Sequence, residues 1–377
     1  MATQLNNIDI EKMLREHYEP LIIEALQEQN DLFTPHARVY ANVDGDSVEM
    51  DSGGKTELVL RTKKYEAKPI NELEWGKRFM YLAMFAQTLN HSESDMMRTG
   101  AFAGGMSYSI QQLRKAATRA YMRTFLGVAY DTEKRYWTIP NPDTANAAGT
   151  NSKSPFSEAQ VYVGGILGRN YTGERGMTPE DFPTQISMSD GTLSSDYETD
   201  FTTVSDMDFN DTSVVPANFA YEGSPAMCGL TLDKIMAVKE MLETRDPAHG
   251  GGDMYSMAIT PRQQIELLRM DKLQNSLYGF QAIKDGMISE VLNIRFIVSN
   301  MVPVVKLPSN KLVRVCPIWK PESVAFGVWQ APKTRVVEMK ETTYDGWAID
   351  CQLACGAARR IPEEVLAVHC FEGATAA

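Results

Sequence analysis

The sequence predicts an α+β fold and not a doubly wound parallel sheet. Three observations carry this. One long helical periodicity runs through GMSYSIQQLRKAATRAYMRTFLGVAYD, and two shorter helical stretches follow Thr231 and Thr260. The final third is dominated by strand-like runs, LVRVCPIW, SVAFGVW, TRVVEM, WAIDCQLACG and EVLAVHCF. Helical and strand-like text do not alternate regularly, as a parallel sheet with crossover helices would require. With 377 residues, 43% of them hydrophobic and 23% charged, the chain can bury a sizeable core.

The first segment, NIDIEKMLREHYEPLIIEALQEQNDLF, places Ile10, Met13, Leu14, Leu21, Ile22, Ala25 and Leu26 at three-to-four spacing, with Pro20 as a break. From Asp9 to Asp31 seven acids face Lys12 and Arg15, a net charge of −5. So polar a terminal helix has little to hold it alone and is expected to dock elsewhere. Next, SVEM, the turn-forming DSGGKT and ELVLRTKKYEA read as a long charged β-hairpin, with Leu58 and Leu60 on one face. From Trp75 to Thr88 the apolar text reads as helix.

In the long helix Ile110, Leu113, Ala117, Tyr121, Thr124 and Val128 recur on one face, while Arg114, Lys115, Arg119 and Arg123 cluster on another. From Trp137 to Pro225 the text turns to Gly, Ser, Thr, Asn, Asp and Pro, with strand-like AQVYVGGIL and DYETDFTTVSDMDF. Between Gly176 and Asp233 there are eleven acids and no Lys or Arg, so nearly all of the net charge of −12 sits in one segment. Such a distribution is not the basic footprint that coats nucleic acid. Helical text returns in LTLDKIMAVKEMLETRD, where Thr231 can cap and Leu232, Ile235, Met236, Lys239 and Leu242 share a side. Thr260, Pro261 and Gln263 form a capping box for the next helix.

No chemistry-bearing motif survives inspection. GGKT at Gly53 to Thr56 lacks the phosphate loop's first glycine, since Glu49 stands there, and leads into a strand. Asp206, Asp208 and Asn210 begin a calcium-loop pattern, but Asp211 replaces the turn glycine and Ala217 the closing glutamate. Cys351 and Cys355 are four apart, and the five histidines are scattered, so zinc is not expected. His91 to Glu93 is half a deaminase signature without its PCxxC. No GxSxG appears. The reading is therefore no enzyme, no metal and no cofactor. Five cysteines in so long a chain read as reduced, buried thiols. No apolar run approaches the roughly 20 residues of a membrane span. The N-terminus lacks a basic start followed by an apolar stretch, so the expectation is a soluble chain inside a cell.

The order of parts, with LTLDKIMAVKEMLE, AITPRQQIELLR, DGMISEVLNIRFIVSNMVP, VCPIWKPESVAFGVW and ACGAARRIPEEVLAVHCFE, resembles the major capsid protein of tailed bacteriophages, the Hong Kong 97-type fold. The resemblance implies an N-terminal arm over 1–45 and an extended loop over 46–71. It implies a peripheral domain over 72–227, containing a spine helix near 106–128 and an acidic insertion near 138–225. An axial domain over 228–355 and a strand returning to the peripheral domain over 356–377 complete it. It implies pentamers and hexamers forming an icosahedral shell around double-stranded DNA, in a virion assembled in the bacterial cytoplasm. The implied partners are further copies, a portal protein, a separate scaffolding protein, a decoration protein and DNA on the inner face without sequence-specific binding, with no membrane.

The candidate contact residues are Glu16, Glu19, Glu24 and Glu28 of the arm, Lys55, Arg61, Lys63 and Lys64 of the loop, and Arg114, Lys115, Arg119 and Arg123 of the helix. The arm carboxylates are expected near the helix cations, in the same subunit or the next. Some members of the family weld the shell through a loop lysine, and no such cross-link is predicted here. The alternatives are an encapsulin-type cellular compartment and an acid-rich hydrolase using Asp196, Asp200, Asp206 and Asp208. The segment Gly176 to Pro225 is expected to be an exposed insertion.

Overall fold

The computed structural model describes residues 31–53, 75–92, 102–131, 135–140, 164–172, 178–180, 182, 213–215, 217, 219, 229–245, 254–270, 283–284, 287–288, 290–306, 312–341 and 344–372. The elements that position the surface of interest begin with β1 (Arg38–Ala41), β2 (Ser47–Gly53), β3 (Trp75–Tyr81), β4 (Ala83–Ser92) and α1 (Phe102–Leu126). The short strands β5 (Ala129–Asp131), β6 (Tyr136–Thr138), β7 (Asn170–Thr172), β8 (Thr178–Glu180) and β9 (Val214–Val215) follow. Then come α2 (Leu232–Arg245), β10 (Tyr255–Ile259), α3 (Pro261–Leu268), the pairs β11 (Ile283–Lys284) with β12 (Met287–Ile288) and β13 (Glu290–Val291) with β14 (Ile294–Val298), and β15 (Val304–Lys306). The chain closes with β16 (Leu312–Trp319), β17 (Val324–Glu341), β18 (Tyr344–Arg359) and β19 (Val365–Glu372).

Among the described residues three larger sheets organise most of these strands, beside the two-stranded pairs β5–β6 and β11–β12. The first has the order β1-β17-β18-β4, with β1 parallel to β17 and the rest antiparallel. The second runs β13-β14-β10-β16-β19-β9, with β15 also paired to β16. The third, β2-β3-β7-β8, is antiparallel throughout. The mixed α+β class is therefore as the sequence predicts.

The helix α1 forms because its apolar positions recur at helical spacing. Ile110, Leu113, Ala117 and Ala120 are buried, and Ile110 and Leu113 pack on Ile349 and Cys351, same-face residues of β18. At its C-terminus, Phe125 stacks on Phe33 at 5.5 Å and meets Trp319 edge-on at 5.4 Å. The Trp319 indole N–H donates to the His36 carbonyl at 2.7 Å. This aromatic cluster joins the N-terminal segment, α1 and β16 into one core, continuous with the buried faces of α2 and the second sheet.

Where α1 ends, helix carbonyls need partners. The amides of Ile166 and Leu167 supply them, donating to Phe125 and Leu126 at 2.9 and 3.1 Å. Gly127, at φ +73, turns the chain there.

Several expectations are corrected. Trp75 to Thr88 is not helix but β3 and β4, because the run is shared between two sheets and pairs with β2 and β18. DSGGKT does not turn at its start: Asp51 to Gly53 continue β2, and the paired strand is Trp75–Tyr81. The second strand of this hairpin therefore runs to Tyr81, past the expected Asn71 limit, while residues 54–74 and those before Asp31 lie outside the described residues. The helix expected near 106–128 runs over Phe102–Leu126. Within AQVYVGGIL, the described residues 164–167 bend and do not form a strand. SVAFGVW and TRVVEM are one strand, β17, accommodated by register shifts between Val328 and Lys333.

Part of the expected arm is built into the body, since Phe33 is buried and Arg38–Ala41 pair with β17. Part of the expected exposed insertion is core, with Val215, Ala217 and Phe219 buried. The long hairpin β17–β18 lies in the sheet against α1, and β19 pairs with β16 and β9.

In α2, Thr231 caps as expected, its hydroxyl accepting from the Lys234 amide at 3.3 Å. Met236, however, is exposed, and the buried face is Ile235, Val238, Met241 and Leu242. The capping box of α3 is present with both of its hydrogen bonds. Lys234 is fully buried, and its ammonium donates to the carbonyls of Gly229 (2.6 Å) and His369 (3.3 Å).

His369 is buried beside that cation, and burial first, then the Lys234 charge, push its pKa down to about 4. Between the unfolded value of 6.5 and about 4 the unfolded chain binds the extra proton, so stability rises with pH through that window. The contribution is complete above 6.5 and is lost as pH falls, by about 2 kcal/mol at pH 5. Urea unfolding of the unassembled chain at pH 7 and pH 5 should show this loss, and His369→Leu should remove that part of the pH dependence. An unchanged dependence in the variant would show that His369 does not carry it.

Candidate inter-subunit surface

The cations of α1 do not act as one set. Lys115 and Arg119 are exposed, and the Arg119 Nε donates to the Lys115 carbonyl at 3.1 Å. Arg114 is half-buried. Arg123 lies with its guanidinium 4.2 Å over the ring of Phe85, on the adjacent strand β4. Burial lowers Arg123 from its ordinary value, with Cys355 acting in the opposite direction. The expected basic face is thus corrected: Lys115 and Arg119 are free to meet an external acid, while Arg123 is committed to Phe85.

Between α1 and β4 runs an open groove of about 1580 Å³. Its apolar lining includes Leu113, Ala117 and Ala120 of α1, Met84 and Phe85 of β4, and Leu32, Tyr130 and Trp137. Met84 is 75% exposed, Tyr130 49% and Leu32 40%. Arg119 and Arg123 supply positive charge along the same groove. β4 stands at the end of its sheet, paired on one side with β18. The surface is thus apolar, edged by cations and bounded by a strand that is the sheet edge among the described residues, a composition suited to association.

The loop stem is held by charge and by sheet. In β2 and β3, Lys77 meets Glu49 at 2.5 Å, an exposed pair that contributes little. Arg78 of β3 grips Glu180 of β8 as a fork, Nη1 donating to Oε2 at 2.5 Å and Nη2 to Oε1 at 3.3 Å, and is largely shielded. The Glu180 carbonyl in turn accepts from Arg359 at 3.1 Å. Buried Arg359 also donates to the carbonyls of Ile166 and Gly168, both at 2.7 Å, and lies 5.0 Å over Phe182. Asn170 completes the node, accepting from the Arg359 amide at 3.1 Å and donating to Gly165 and Gly168. Nothing in ACGAARRIPEE separates Arg359 from an ordinary surface arginine, so sequence reasoning missed it. Its partners lie 179 to 193 positions away.

Of the other candidates, Glu16, Glu19, Glu24, Glu28, Lys55, Arg61, Lys63 and Lys64 lie outside the described residues, as do Asp196, Asp200, Asp206 and Asp208. Cys351 and Cys355 share the face of β18 beneath α1. Burial is the largest cause pushing their thiols up to about 11 and about 12, so both are protonated and poor nucleophiles at neutral pH. Among the described residues no three His, Cys, Asp or Glu side chains converge as a metal would need.

Comparison with known proteins bears on this surface. Residues 185–372, about half of the chain, match the model of a family described as phage capsid protein. No curated protein matches the chain. Among solved structures, the capsid of a native GTA particle shares the fold with a TM-score of 0.52 at 9% identity, over 91% of this chain and 91% of that one. The capsid of Ralstonia phage GP4 does so with a TM-score of 0.50 at 8% identity, over 91% of this chain and 88% of that one.

Proposed function

Because this chain is a phage capsid protein with the Hong Kong 97-type fold, a subunit that associates with copies of itself in a head shell, we propose that it closes that shell as pentamers and hexamers around the double-stranded DNA of a tailed bacteriophage. Its role is structural. The observation that carries the finer reading is the pairing of a cation-edged apolar surface on α1 and β4 with a hairpin, β2 and β3, whose base is tied to the body through β7 and the Arg78–Glu180 pair. A two-stranded ribbon is marginal alone and gains a surface from a neighbouring copy. Contacts between unlike surfaces repeat around a ring, and rings of five and six close a shell.

In this reading Lys55, Arg61, Lys63 and Lys64 meet the adjacent subunit, and Glu16, Glu19, Glu24 and Glu28 lie opposite Arg114, Lys115 and Arg119. Each exposed pair contributes about 0 to 1 kcal/mol, so such pairs set register more than strength. A portal protein occupies one vertex, a separate scaffolding protein guides closure in the bacterial cytoplasm, a decoration protein binds outside, and DNA lies inside. The encapsulin-type alternative has less support, since the matching family model is that of phage capsids.

Negative-stain electron microscopy of the protein expressed alone and purified by size tests the proposal. Closed shells or regular sheets tens of nanometres across are the expected result on the scale of tailed-phage heads. A clean monomer in both low and high salt would overturn it.

A further inference from the structure

We propose that residues 9–30 of this chain lie in the α1–β4 groove of their own subunit. The inference extends the arm contact of the proposed function by naming the subunit, and it rests on that contact and not on shell closure. Three observations converge on it. The first is where the chain emerges. Phe33 is fully buried against Phe125, its amide donates to the Asp31 carboxylate at 3.0 Å, and Leu32 already lines the groove. The chain ahead of Asp31 therefore leaves at the groove itself. So short a tether gives a local concentration on the order of millimolar, which favours the chain's own segment over a second copy in the unassembled protein.

The second is fit. Twenty-two residues as two helical pieces broken at Pro20 span at most about 33 Å, within the roughly 37 Å of α1 that walls the groove. Met13, Leu14, Leu21, Ile22 and Leu26 recur at helical spacing and would cover exposed Met84 and half-buried Met122. Flexible methionine side chains adapt well to such an occupant.

The third is charge. Residues 9–30 carry −4, six acids against Lys12 and Arg15, and the groove is lined by Arg119 and Arg123 against the one acid Asp46. Arg123 already sits over Phe85, which leaves exposed Arg119 as the cation best placed to pair with an arm carboxylate.

The test uses the full-length, unassembled chain carrying a benzophenone photocross-linker in place of Leu26, prepared as a mixture of isotopically light and heavy chains. After irradiation, mass spectrometry locates each attachment. Attachment within one chain to Met84 or Met122 is the expected result. Attachment to surfaces outside the groove, such as Met236 on the exposed side of α2, or only between light and heavy chains, would overturn the proposal.

The companion variant Arg119→Glu should lower the groove yield by about 2- to 5-fold without moving the unfolding midpoint, and an unchanged yield would overturn the charge pairing. Electron microscopy of the same sample reads assembly separately. Shells with attachments only between chains would overturn docking and leave the shell standing. Attachments within one chain that never assembles would do the reverse.

Discussion

Replacing Arg359 by methionine should lower the stability of the unassembled subunit by about 3 to 5 kcal/mol. The arginine side chain is 1% exposed, and its guanidinium donates to three carbonyls, those of Ile166, Gly168 and Glu180. Methionine fills much of the volume but leaves those carbonyls buried without these donors. The unmade bonds, and not lost packing, dominate the cost.

Arg359→Lys should recover little, because an ammonium on a flexible stem cannot reproduce the planar fork that reaches residues 166, 168 and 180 together. The effect should not stay local. Glu180 holds Arg359 through its carbonyl and Arg78 through its carboxylate, so loosening β8 loosens β3, which is half of the loop stem. Urea unfolding gives the first result, and hydrogen exchange gives the second as early loss of protection in residues 164–172 and 75–81. A loss below about 1 kcal/mol would show that the node is not what ties the stem to the body.

The comparison of sequence and structure turns on which residues carry a local signal. Thr260, Pro261 and Gln263 announce α3 because a capping box is satisfied within four residues, so its chemistry is visible in the text. The buried face of α1 is visible for a similar reason, since helical period is a local property. The run Trp75 to Ser92 misleads because its alternation is blurred. Ala83, Phe85 and Leu89 point inward, yet Met84 and Ala86 on the outward parity are also apolar, and the mixture imitates a helix. Met84 lies exposed in the groove, so the position that confuses the period is also one that marks the surface.

The contact residues divide in the same way. The charge of Lys115 and Arg119 is legible, but the stacking of Arg123 on Phe85 depends on placing β4 correctly. Arg359 gives no local sign at all, because a buried cation is defined by partners brought from the far side of the chain. The Hong Kong 97-type likeness was legible as an order of segments, whereas sheet membership was not. Whether β17 and β18 pair beside α1 or with β16 is decided by tertiary packing, which propensity does not encode.

Gly165→Ala should be as damaging as loss of Arg359, at about 4 kcal/mol, and for a different reason. Gly165 has φ +105, a conformation that an L side chain rarely adopts. A β-carbon there would stand 2.5 Å from the Gly127 amide nitrogen, 2.6 Å from the Thr124 carbonyl oxygen and 2.7 Å from the Gly127 α-carbon. All three are backbone atoms in or just beyond the last turn of α1, so no flexible side chain can give way. Gly127 meets the same constraint from the other side, with its own added β-carbon 2.3 Å from the Gly164 carbonyl oxygen.

The pair of glycines lets the loop approach closely enough for Ile166 and Leu167 to donate to Phe125 and Leu126. Forcing the loop away would therefore break those bonds and the Gly165 amide's bond to the Ala357 carbonyl, next to the Arg359 node. Thermal unfolding should show a large drop in midpoint for Gly165→Ala. Gly45→Ala is the control for positive φ alone, since Gly45 sits at φ +89 with open space around its α-carbon. It should cost only the conformational strain, about 1 to 3 kcal/mol. Equal losses in the two variants would mean that backbone conformation, and not the close approach of the loop to α1, sets the cost.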